Sequence, residues 1–310
     1  MKEVILIGGP TASGKSHLAI RLADILKNYT SVEIINADSI QVYDDLKILS
    51  SQPSEIDMRI CEHDLYGFFS SKKSCSVWLW KEYAENSIKS AWNKNHLPIL
   101  VGGTGLYFKA LINGLSEIPE INENIRLEGR KILERQGVSK LYSDLLEKNP
   151  SLVSSLNNND SQRVLRAWEV FFSTGKPINY WQNKQNSSVL DGNWQGFSVL
   201  PDREQLYNRI NLRFLNMIKK GVVEEVSEFL SKNPDPSLPC SKAIGIKELS
   251  GYLNNLSPLD QSIDLAQQST RRLAKRQYTW FRNQMTDFII LDGEIDSNIN
   301  KMFNIIRGFY

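Results

Sequence analysis

Cysteine and histidine are scarce in this chain, with three of each among 310 residues. No two cysteines form a C-x-x-C pair, and the histidines show no metal-ligand spacing. This pattern argues against a disulfide framework and against a zinc site. We therefore expect a protein of the reducing cytoplasm.

The chain also has no large excess of charge of one sign and no long apolar run. The formal net charge is only +2, so any surface that binds nucleic acid has to be a local basic patch. No apolar run reaches the roughly 18 residues that a membrane span requires, and the first residues indicate a strand rather than a signal peptide. We expect no membrane association, and we take the protein to be a monomer.

Short apolar runs alternate with helical periodicity along the first and last thirds of the chain. This alternation predicts an α/β fold, with a parallel sheet covered by helices on both faces. The predicted strands are residues 4–7, 32–35, 99–101, 196–200 and 288–291, and the predicted helices are residues 17–26, 77–92, 202–230 with a break near Gly221, and 260–284.

The middle of the chain has a different pattern, because helical stretches dominate between residues 116 and 195. Residues 124–136 and 138–148 are predicted helices, and polar breaks separate such stretches. We therefore predict a core domain formed by residues 1–115 and 196–310. Residues 116–195 are predicted to form a mostly helical insertion.

The loop after the first strand fits the spacing G-x-x-x-x-G-K-[ST] of a phosphate-binding loop. In such a loop, backbone N–H groups and a helix N-terminus surround an anion. Lys15 adds a positive charge, and the Ser16 hydroxyl is suited to hold Mg²⁺. The motif predicts a polyphosphate ligand without defining the reaction. The predicted ligand-binding residues are Gly9, Pro10, Thr11, Ala12, Ser13, Gly14, Lys15 and Ser16.

Asp38 and Thr104 follow the second and third predicted strands. Ligands of parallel sheets bind at the carboxyl ends of the strands, so both residues are expected near the phosphate loop. Asp38 is suited to hold Mg²⁺, to read a nucleobase edge and accept its proton, or simply to form a turn or N-cap. Thr104 is equally suited to cap the following helix. No second acidic strand end resembles that of a nucleotide hydrolase.

Seven segments together resemble the tRNA isopentenyltransferases, also called tRNA dimethylallyltransferases or IPP transferases. The resemblance extends over nearly the whole chain. The segments are GPTASGKS (9–16), DSIQVY (38–43), VGGTGLYFKAL (101–111), SQRVLRA (161–167), RINLR (209–213), KAIG (242–245) and TRRLAKRQ (270–277).

The resemblance implies a fold like that of P-loop NTPases and a prenyl transfer. Dimethylallyl diphosphate would occupy the phosphate loop, and its dimethylallyl group would pass to the N6 amine of adenosine 37, beside the anticodon of tRNA. Asp38 would accept the proton of this amine, while Thr11, Lys15 and Arg213 would stabilise the diphosphate leaving group. Mg²⁺ is implied as the cofactor, held by Ser16. The alternative for Arg213 is a surface salt bridge.

Contacts to tRNA are implied in the core and in the insertion. On the last long helix, one predicted face carries Arg271, Lys275, Tyr278 and Arg282. The alternative to a tRNA contact is that this face is an ordinary solvated basic surface. The implied contact residues are Asp38, Ser39, Ile40, Gln41, Thr104, Arg126, Gln162, Arg163, Val164, Leu165, Arg166, Lys275, Arg276, Gln277, Tyr278, Thr279, Trp280, Phe281 and Arg282.

The chain departs from the family pattern after the DSIQVY segment. Residues 49–53 read LSSQP where the family usually has G-T-A-K-P, and His63 is followed by aspartate instead of a second histidine. The resemblance therefore transfers no role to Gln52 or His63.

Three other functions fit parts of the sequence. An adenylate isopentenyltransferase would use a free adenine nucleotide, but it would not need the helical insertion. A P-loop small-molecule kinase would transfer phosphate from ATP. An RNA-binding protein without catalytic activity would not need Lys15 and Asp38 together.

Overall fold

The computed structural model describes residues 2–183 and 190–309. The chain forms two compact units, of which the first comprises Met1–Ile112 with Leu190–Tyr310 and the second comprises Asn113–Val189. The sequence places these boundaries at residues 115/116 and 195/196. Residues 184–189 of the predicted insertion lie outside the described residues.

A six-stranded sheet forms the centre of the first unit, with the order β3-β2-β4-β1-β5-β6. All neighbouring strands are parallel, as predicted. The edge strand β3 was not predicted, because its three residues are all polar and give no strand pattern. The strands are β1 (Glu3–Gly8), β2 (Ser31–Asn36), β3 (Glu62–Asp64), β4 (His96–Gly102), β5 (Asn193–Val199) and β6 (Ile289–Leu291).

Helices cover both faces of this sheet. The predicted break near Gly221 is confirmed, because Gly221 has φ 90° and separates two helices. Such a left-handed conformation suits glycine, which has no Cβ. The helices are α1 (Lys15–Leu26), α2 (Lys47–Ser50), α3 (Glu55–Ile60), α4 (Val77–Asn93), α5 (Gly105–Asn113), α10 (Arg203–Lys219), α11 (Val222–Ser231), α12 (Ile246–Leu253), α13 (Leu259–Gln284) and α14 (Ile295–Ile306).

The central strand β1 supplies side chains to two hydrophobic cores, one on each face of the sheet. Val4 and Leu6 pack on one face, and Ile5 and Ile7 pack on the other. All four are fully buried, and each burial contributes about 1.5–3 kcal/mol. A strand covered on both faces is therefore a continuous apolar run, which explains why the short run at residues 4–7 was sufficient to predict it.

The second unit is a helical bundle of α6 (Glu123–Gln136), α7 (Val138–Lys148), α8 (Ser161–Thr174) and α9 (Ile178–Gln182). Its core includes Leu141, Leu145 and Trp168. Helix α8 begins where the Asp160 side chain accepts a hydrogen bond from the Arg163 N–H at 3.1 Å, an N-cap that follows the predicted polar break. The predicted helices at residues 124–136 and 138–148 are confirmed.

None of the helices in the described parts of the chain combines the length and the apolar composition that a membrane crossing demands.

Candidate active site

The phosphate loop connects β1 to α1. Gly14 precedes the helix with φ 95°, and Ala12 has φ 62°. A Cβ at Gly9 would lie 2.6 Å from the Val199 carbonyl oxygen, so the loop turns where the backbone of β5 leaves no room for a side chain. The turn directs the first N–H groups of α1 towards the site, where they are suited to bind an anion.

The loop and Asp38 line one cavity of about 300 Å³. The structure therefore brings the predicted anion-binding residues and the predicted base together. Gly9, Pro10 and Ser13 do not line this cavity, and the buried Ser13 hydroxyl has no hydrogen-bond partner in the described part of the chain. The residues around the cavity are Thr11, Ala12, Gly14, Lys15, Ser16, His17, Asp38, Gln41, Ser50, Ser51, Arg209 and Arg213.

Three cations, Lys15, Arg209 and Arg213, line this cavity together with one carboxylate, that of Asp38. Burial lowers the pKa of Lys15 to about 8, the charge of Asp38 opposes this shift, and Arg213 adds to it. Burial also lowers the pKa of Arg213. Arg213 lines the cavity and forms no ion pair in the described structure, which excludes the surface salt bridge as its role. The site is therefore suited to a polyanion, which would favour the charged form of both residues.

Arg209 lies one helical turn before Arg213 on α10 and lines the same cavity. Its Nη1 donates a hydrogen bond to the Ser13 carbonyl at 3.2 Å, so that α10 holds the phosphate loop. Residues four apart share one face of a helix, and this spacing within RINLR could have identified Arg209 from the sequence.

Asp38 lines the cavity and also forms a turn through one carboxylate oxygen. Its Oδ1 accepts a hydrogen bond from the Ile40 N–H at 3.0 Å. The turn and the catalytic interpretations are therefore compatible. Asn36, which is fully buried, holds the backbone of Asp38: its Oδ1 accepts the Asp38 N–H at 2.9 Å, and its Nδ2 donates to the Asp38 carbonyl at 3.0 Å. No sequence motif identified Asn36.

Thr104 connects the loop after β4 to the loop after β2. Its Oγ1 accepts a hydrogen bond from the Ser39 N–H at 2.9 Å and donates to the Ser39 hydroxyl at 3.2 Å. The Thr104 side chain thus fixes the residue after Asp38. Thr104 also stands directly before α5, where its backbone carbonyl accepts the Tyr107 N–H at 2.9 Å, so a position at the start of the helix and a contact to Ser39 coexist.

The unusual segment at residues 49–53 is held by two glutamines. Gln41 Nε2 donates to the carbonyls of Ser50 and Ser51 at 3.0 and 2.8 Å. Gln52 Nε2 donates in return to the Tyr43 carbonyl at 2.8 Å and to the Gln41 carbonyl at 3.3 Å. The Gln41 N–H₂ group is therefore occupied inside the protein, and only its side-chain oxygen is left to face a ligand.

Glu225 of α11 binds the backbone at the start of the same segment. Its two carboxylate oxygens accept the N–H groups of Ile48 and Leu49 at 2.7 and 2.9 Å. These N–H groups belong to the first turn of α2, which is only four residues long. A carboxylate at this position stabilises the short helix that leads into Ser50 and Ser51 on the cavity wall.

His63 lies at a second cavity of about 80 Å³, which shares Ser16, Gln41 and Ser51 with the first. Its Nδ1 lies 3.0 Å from the Cys61 carbonyl. Since a carbonyl only accepts, Nδ1 carries the proton and Nε2 is left as an acceptor. Burial lowers the pKa of His63, which favours this neutral form.

Helix α13 presents a different basic face from the one predicted. Arg271 is half-buried and donates to the Asn211 side chain at 2.6 Å, and the Arg203 guanidinium lies 5.3 Å from the Tyr278 ring centre. Both predicted residues therefore contact the protein, because α10 packs against this side of α13. The exposed residues of this stretch are Arg272, Lys275, Arg276, Thr279 and Arg282.

Two predicted tRNA contacts are wrong for side chains, because burial excludes them. Phe281 is 1% exposed and packs over Gly8, and Val164 is 0% exposed in the core of the helical unit. Leu165 also packs against that core. The remaining predicted residues of the helical unit reach the surface to different degrees: Gln162 and Arg163 are exposed, and Arg126 and Arg166 are half-buried.

One group of possible metal ligands occurs in the described residues, and it lies away from this cavity. Glu33, Glu62 and His96 meet on β2, β3 and β4 at the amino end of the sheet. Lys94 Nζ lies 3.2 Å from Glu33 and 2.7 Å from Glu62, so this group is an ion-pair network.

Comparisons with known proteins decide the family. A model described as IPP transferase matches residues 41–284, and a model described as isopentenyl transferase matches residues 2–63. A tRNA dimethylallyltransferase of Paramagnetospirillum magneticum is 41% identical over 304 residues, which cover 98% of this chain and 95% of that protein. The chain belongs to the IPP transferase family. A second relative of this IPP transferase, the tRNA dimethylallyltransferase of Hyphomonas neptunium, is 40% identical and covers 99% of this chain and 96% of its own.

Solved structures agree with this assignment. The tRNA isopentenylpyrophosphate transferase of Bacillus halodurans is 30% identical, with a TM-score of 0.70, and the match covers 99% of this chain and 96% of that one. A eukaryotic dimethylallyltransferase acting on tRNA is 25% identical, with a TM-score of 0.81, over 99% of this chain and 79% of that one. The resemblance and the P-loop NTPase-like fold are both confirmed for this IPP transferase.

Proposed function

We propose that this IPP transferase moves the dimethylallyl group of dimethylallyl diphosphate to the N6 amine of adenosine 37 in tRNA. The products are N6-dimethylallyladenosine and diphosphate. The observation that carries the proposal is the single cavity lined by Asp38 and by the cations Lys15 and Arg213. Cations that stabilise the departing diphosphate and a carboxylate that accepts a proton thus meet at one place, as the transfer requires.

The diphosphate would lie against the phosphate loop and the two cations. Breaking the allylic C–O bond builds negative charge on the departing oxygens. Donors and cations that are already in place stabilise that charge without reorganising, which is the largest contribution in many enzymes. Arg209 supports this arrangement by holding the loop through the Ser13 carbonyl.

Asp38 would orient the adenine amine and accept its proton. An exocyclic aromatic amine is a weak nucleophile, and general base catalysis contributes about 10²–10⁴-fold in such cases. The free Oδ2 is suited to this task because Oδ1 is already bound by the Ile40 N–H. The C–N bond then forms as the C–O bond to diphosphate breaks, and the proton leaves on Asp38.

Mg²⁺ fits the donor set of this cavity. The Ser16 hydroxyl lines it, and hard cations prefer oxygen ligands, so Ser16 would hold the ion together with the diphosphate oxygens. Bound with the diphosphate, the ion would supply further positive charge for the leaving group.

The tRNA would contact the exposed basic residues of α13, including Lys275 and Arg276, and those of α8, including Arg163. Arginine and lysine on a surface otherwise repel one another, and a polyanion reverses the sign of that contribution. The target base would be flipped out of its stack, which is least costly in a loop. A tRNA substrate and three free cysteines support a cytoplasmic location, and we propose a monomer as the working unit.

One assay tests the proposal. The protein is incubated with labelled dimethylallyl diphosphate, Mg²⁺ and either tRNA or AMP. Label in tRNA alone is the expected result, and replacing adenosine 37 should abolish it. Label in AMP would instead identify an adenylate isopentenyltransferase, and phosphate transfer from ATP without prenyl transfer would identify a kinase.

A further inference from the structure

The side chain of Gln277 connects the phosphate loop to the loop after β4. Its Oε1 accepts a hydrogen bond from the Thr11 N–H at 2.9 Å. Its Nε2 donates to the Gly103 carbonyl, also at 2.9 Å. One amide thus satisfies one donor and one acceptor that belong to different loops, and both of its polar atoms are used.

This contact changes the interpretation of both loops. The Thr11 N–H is bound to Gln277, so it is not a free donor for a phosphate oxygen. A Cβ at Gly103 would lie 2.5 Å from Gln277 Nε2 and 3.2 Å from Asp38 Oδ2. Glycine at this position therefore lets the amide approach the backbone next to the carboxylate.

The same helix fits against two other glycines. A Cβ at Gly8 would overlap Phe281, and a Cβ at Gly105 would overlap Trp280. The three side chains Gln277, Trp280 and Phe281 thus seat α13 on the carboxyl ends of β1 and β4. These glycines serve close packing of a helix as well as turn formation.

A chain of hydrogen bonds continues from Gly103 to the acceptor side of the cavity. Thr104, the next residue, binds the Ser39 N–H at 2.9 Å, and Ser39 follows Asp38. The path from Thr11 through Gln277 therefore ends at Ser39, the residue after the Asp38 proposed to hold the adenine amine. The phosphate loop and the loop after β4 are thus both hydrogen-bonded to the side chain of Gln277.

We propose that Gln277 is a positioning residue that sets the distance between the diphosphate and the attacking amine. This inference rests on the proposed prenyl transfer and assigns to Gln277 a role other than direct contact with tRNA. A misplacement of about 1 Å between reacting groups can lower a rate about 10²-fold. Loss of the amide should therefore reduce the rate of transfer more than it reduces binding.

The test compares Gln277→Met with Gln284→Met. Methionine keeps the length of the side chain but removes both hydrogen bonds, and Gln284 is exposed at the end of the same helix. We expect Gln277→Met to lower the single-turnover rate about 10–100-fold. The Kd for tRNA and for inorganic pyrophosphate should stay within about threefold of those of Gln284→Met, a change of under 1 kcal/mol. Gln277→Glu keeps an acceptor for the Thr11 N–H, but it places a carboxylate oxygen against the Gly103 carbonyl oxygen. Its single-turnover rate should therefore be no higher than that of Gln277→Met.

Two results would overturn the inference. A rate for Gln277→Met equal to that of the control would exclude positioning, and a tRNA affinity that falls as much as the rate would assign Gln277 to the RNA contact. Amide hydrogen exchange gives a readout without activity: Thr11 should lose protection in Gln277→Met and keep it in Gln284→Met. Unchanged exchange at Thr11 would refute the contact itself, whereas absence of transfer by the wild-type protein would refute only the proposed function.

Discussion

Asn36 binds the N–H and the carbonyl of Asp38 with one side-chain amide. Its Nδ2 also donates to the Leu65 carbonyl at 3.0 Å, and its own carbonyl accepts the Trp80 indole N–H at 3.0 Å. Asn36 is fully buried, so water cannot replace these bonds. The backbone of the proposed base is therefore fixed from within the sheet, independently of any ligand.

Replacing Asn36 should reduce the rate and the stability together. Asn36→Ala leaves the half-buried Asp38 N–H and the carbonyls of Asp38 and Leu65 without this partner, and each such group costs up to about 1–3 kcal/mol. We expect a kcat lowered about 10–100-fold, with a KM for dimethylallyl diphosphate close to that of the wild type. Urea unfolding and steady-state kinetics measure the two effects. Asn208→Ala, at an exposed position of α10, is the control and should change neither.

Asp38 gives the sharpest separation of catalysis from binding. Asp38→Asn keeps the shape and the acceptor for the Ile40 N–H but cannot take the amine proton. We expect the transfer rate to fall about 10²–10⁴-fold, while the affinity for tRNA in a filter-binding assay stays within about threefold, or under 1 kcal/mol. Equal losses of affinity and rate would contradict the role of Asp38 as the base.

The pKa of Lys15 predicts a pH dependence of diphosphate binding. Burial lowers this pKa to about 8 in the free protein. The charged form, which attracts the anion, therefore dominates below pH 8 and is lost as the pH rises through that value. The Kd for pyrophosphate should rise above pH 8, approaching about tenfold per pH unit.

Lys15→Arg is the matched control for this titration, because arginine keeps its charge throughout the range. Calorimetry with pyrophosphate from pH 7 to pH 9.5 should show a steep loss of affinity for the wild type and a flatter one for Lys15→Arg. The ionisation of pyrophosphate is common to both proteins and cancels in the comparison. Parallel curves would show that Lys15 does not titrate in this range.

Sequence patterns predicted the parallel sheet and the phosphate loop because both depend on local order along the chain. The apolar run at β1 and the glycine spacing of the loop are visible without tertiary contacts. The positions of Thr104 and Asp38 in one region followed from the rule that the carboxyl ends of parallel strands meet at one edge. The short strand β3 escaped prediction because edge pairing with β2 determines it, rather than its own composition.

The exposed face of α13 and the anchoring of Asp38 could not be predicted for a related reason. Helical periodicity places Arg271, Lys275 and Tyr278 together, but only the packing of α10 decides which of them is covered. Asn36 looks like the last residue of an ordinary strand, and its hydrogen bonds reach Leu65 and Trp80, which are distant in sequence. Such contacts leave no periodic signal.

Replacing Glu225 should weaken substrate binding, although Glu225 itself does not line the cavity in the described structure. Glu225→Ala frees the Ile48 and Leu49 N–H groups of α2, and hydrogen bonds to a charged group contribute about 1.5–3 kcal/mol each. The segment that carries Ser50 and Ser51 would then lose its support on one side, while Lys15 and Asp38 keep theirs. We expect the KM for dimethylallyl diphosphate to rise about 3–10-fold, equivalent to about 0.7–1.4 kcal/mol, with a smaller change in kcat.

Glu224→Ala is the control, since Glu224 is the exposed neighbour on the same helix turn. If both variants gave the same KM, the two bonds from Glu225 would not shape the site, and the LSSQP segment would be held by Gln41 and Gln52 alone.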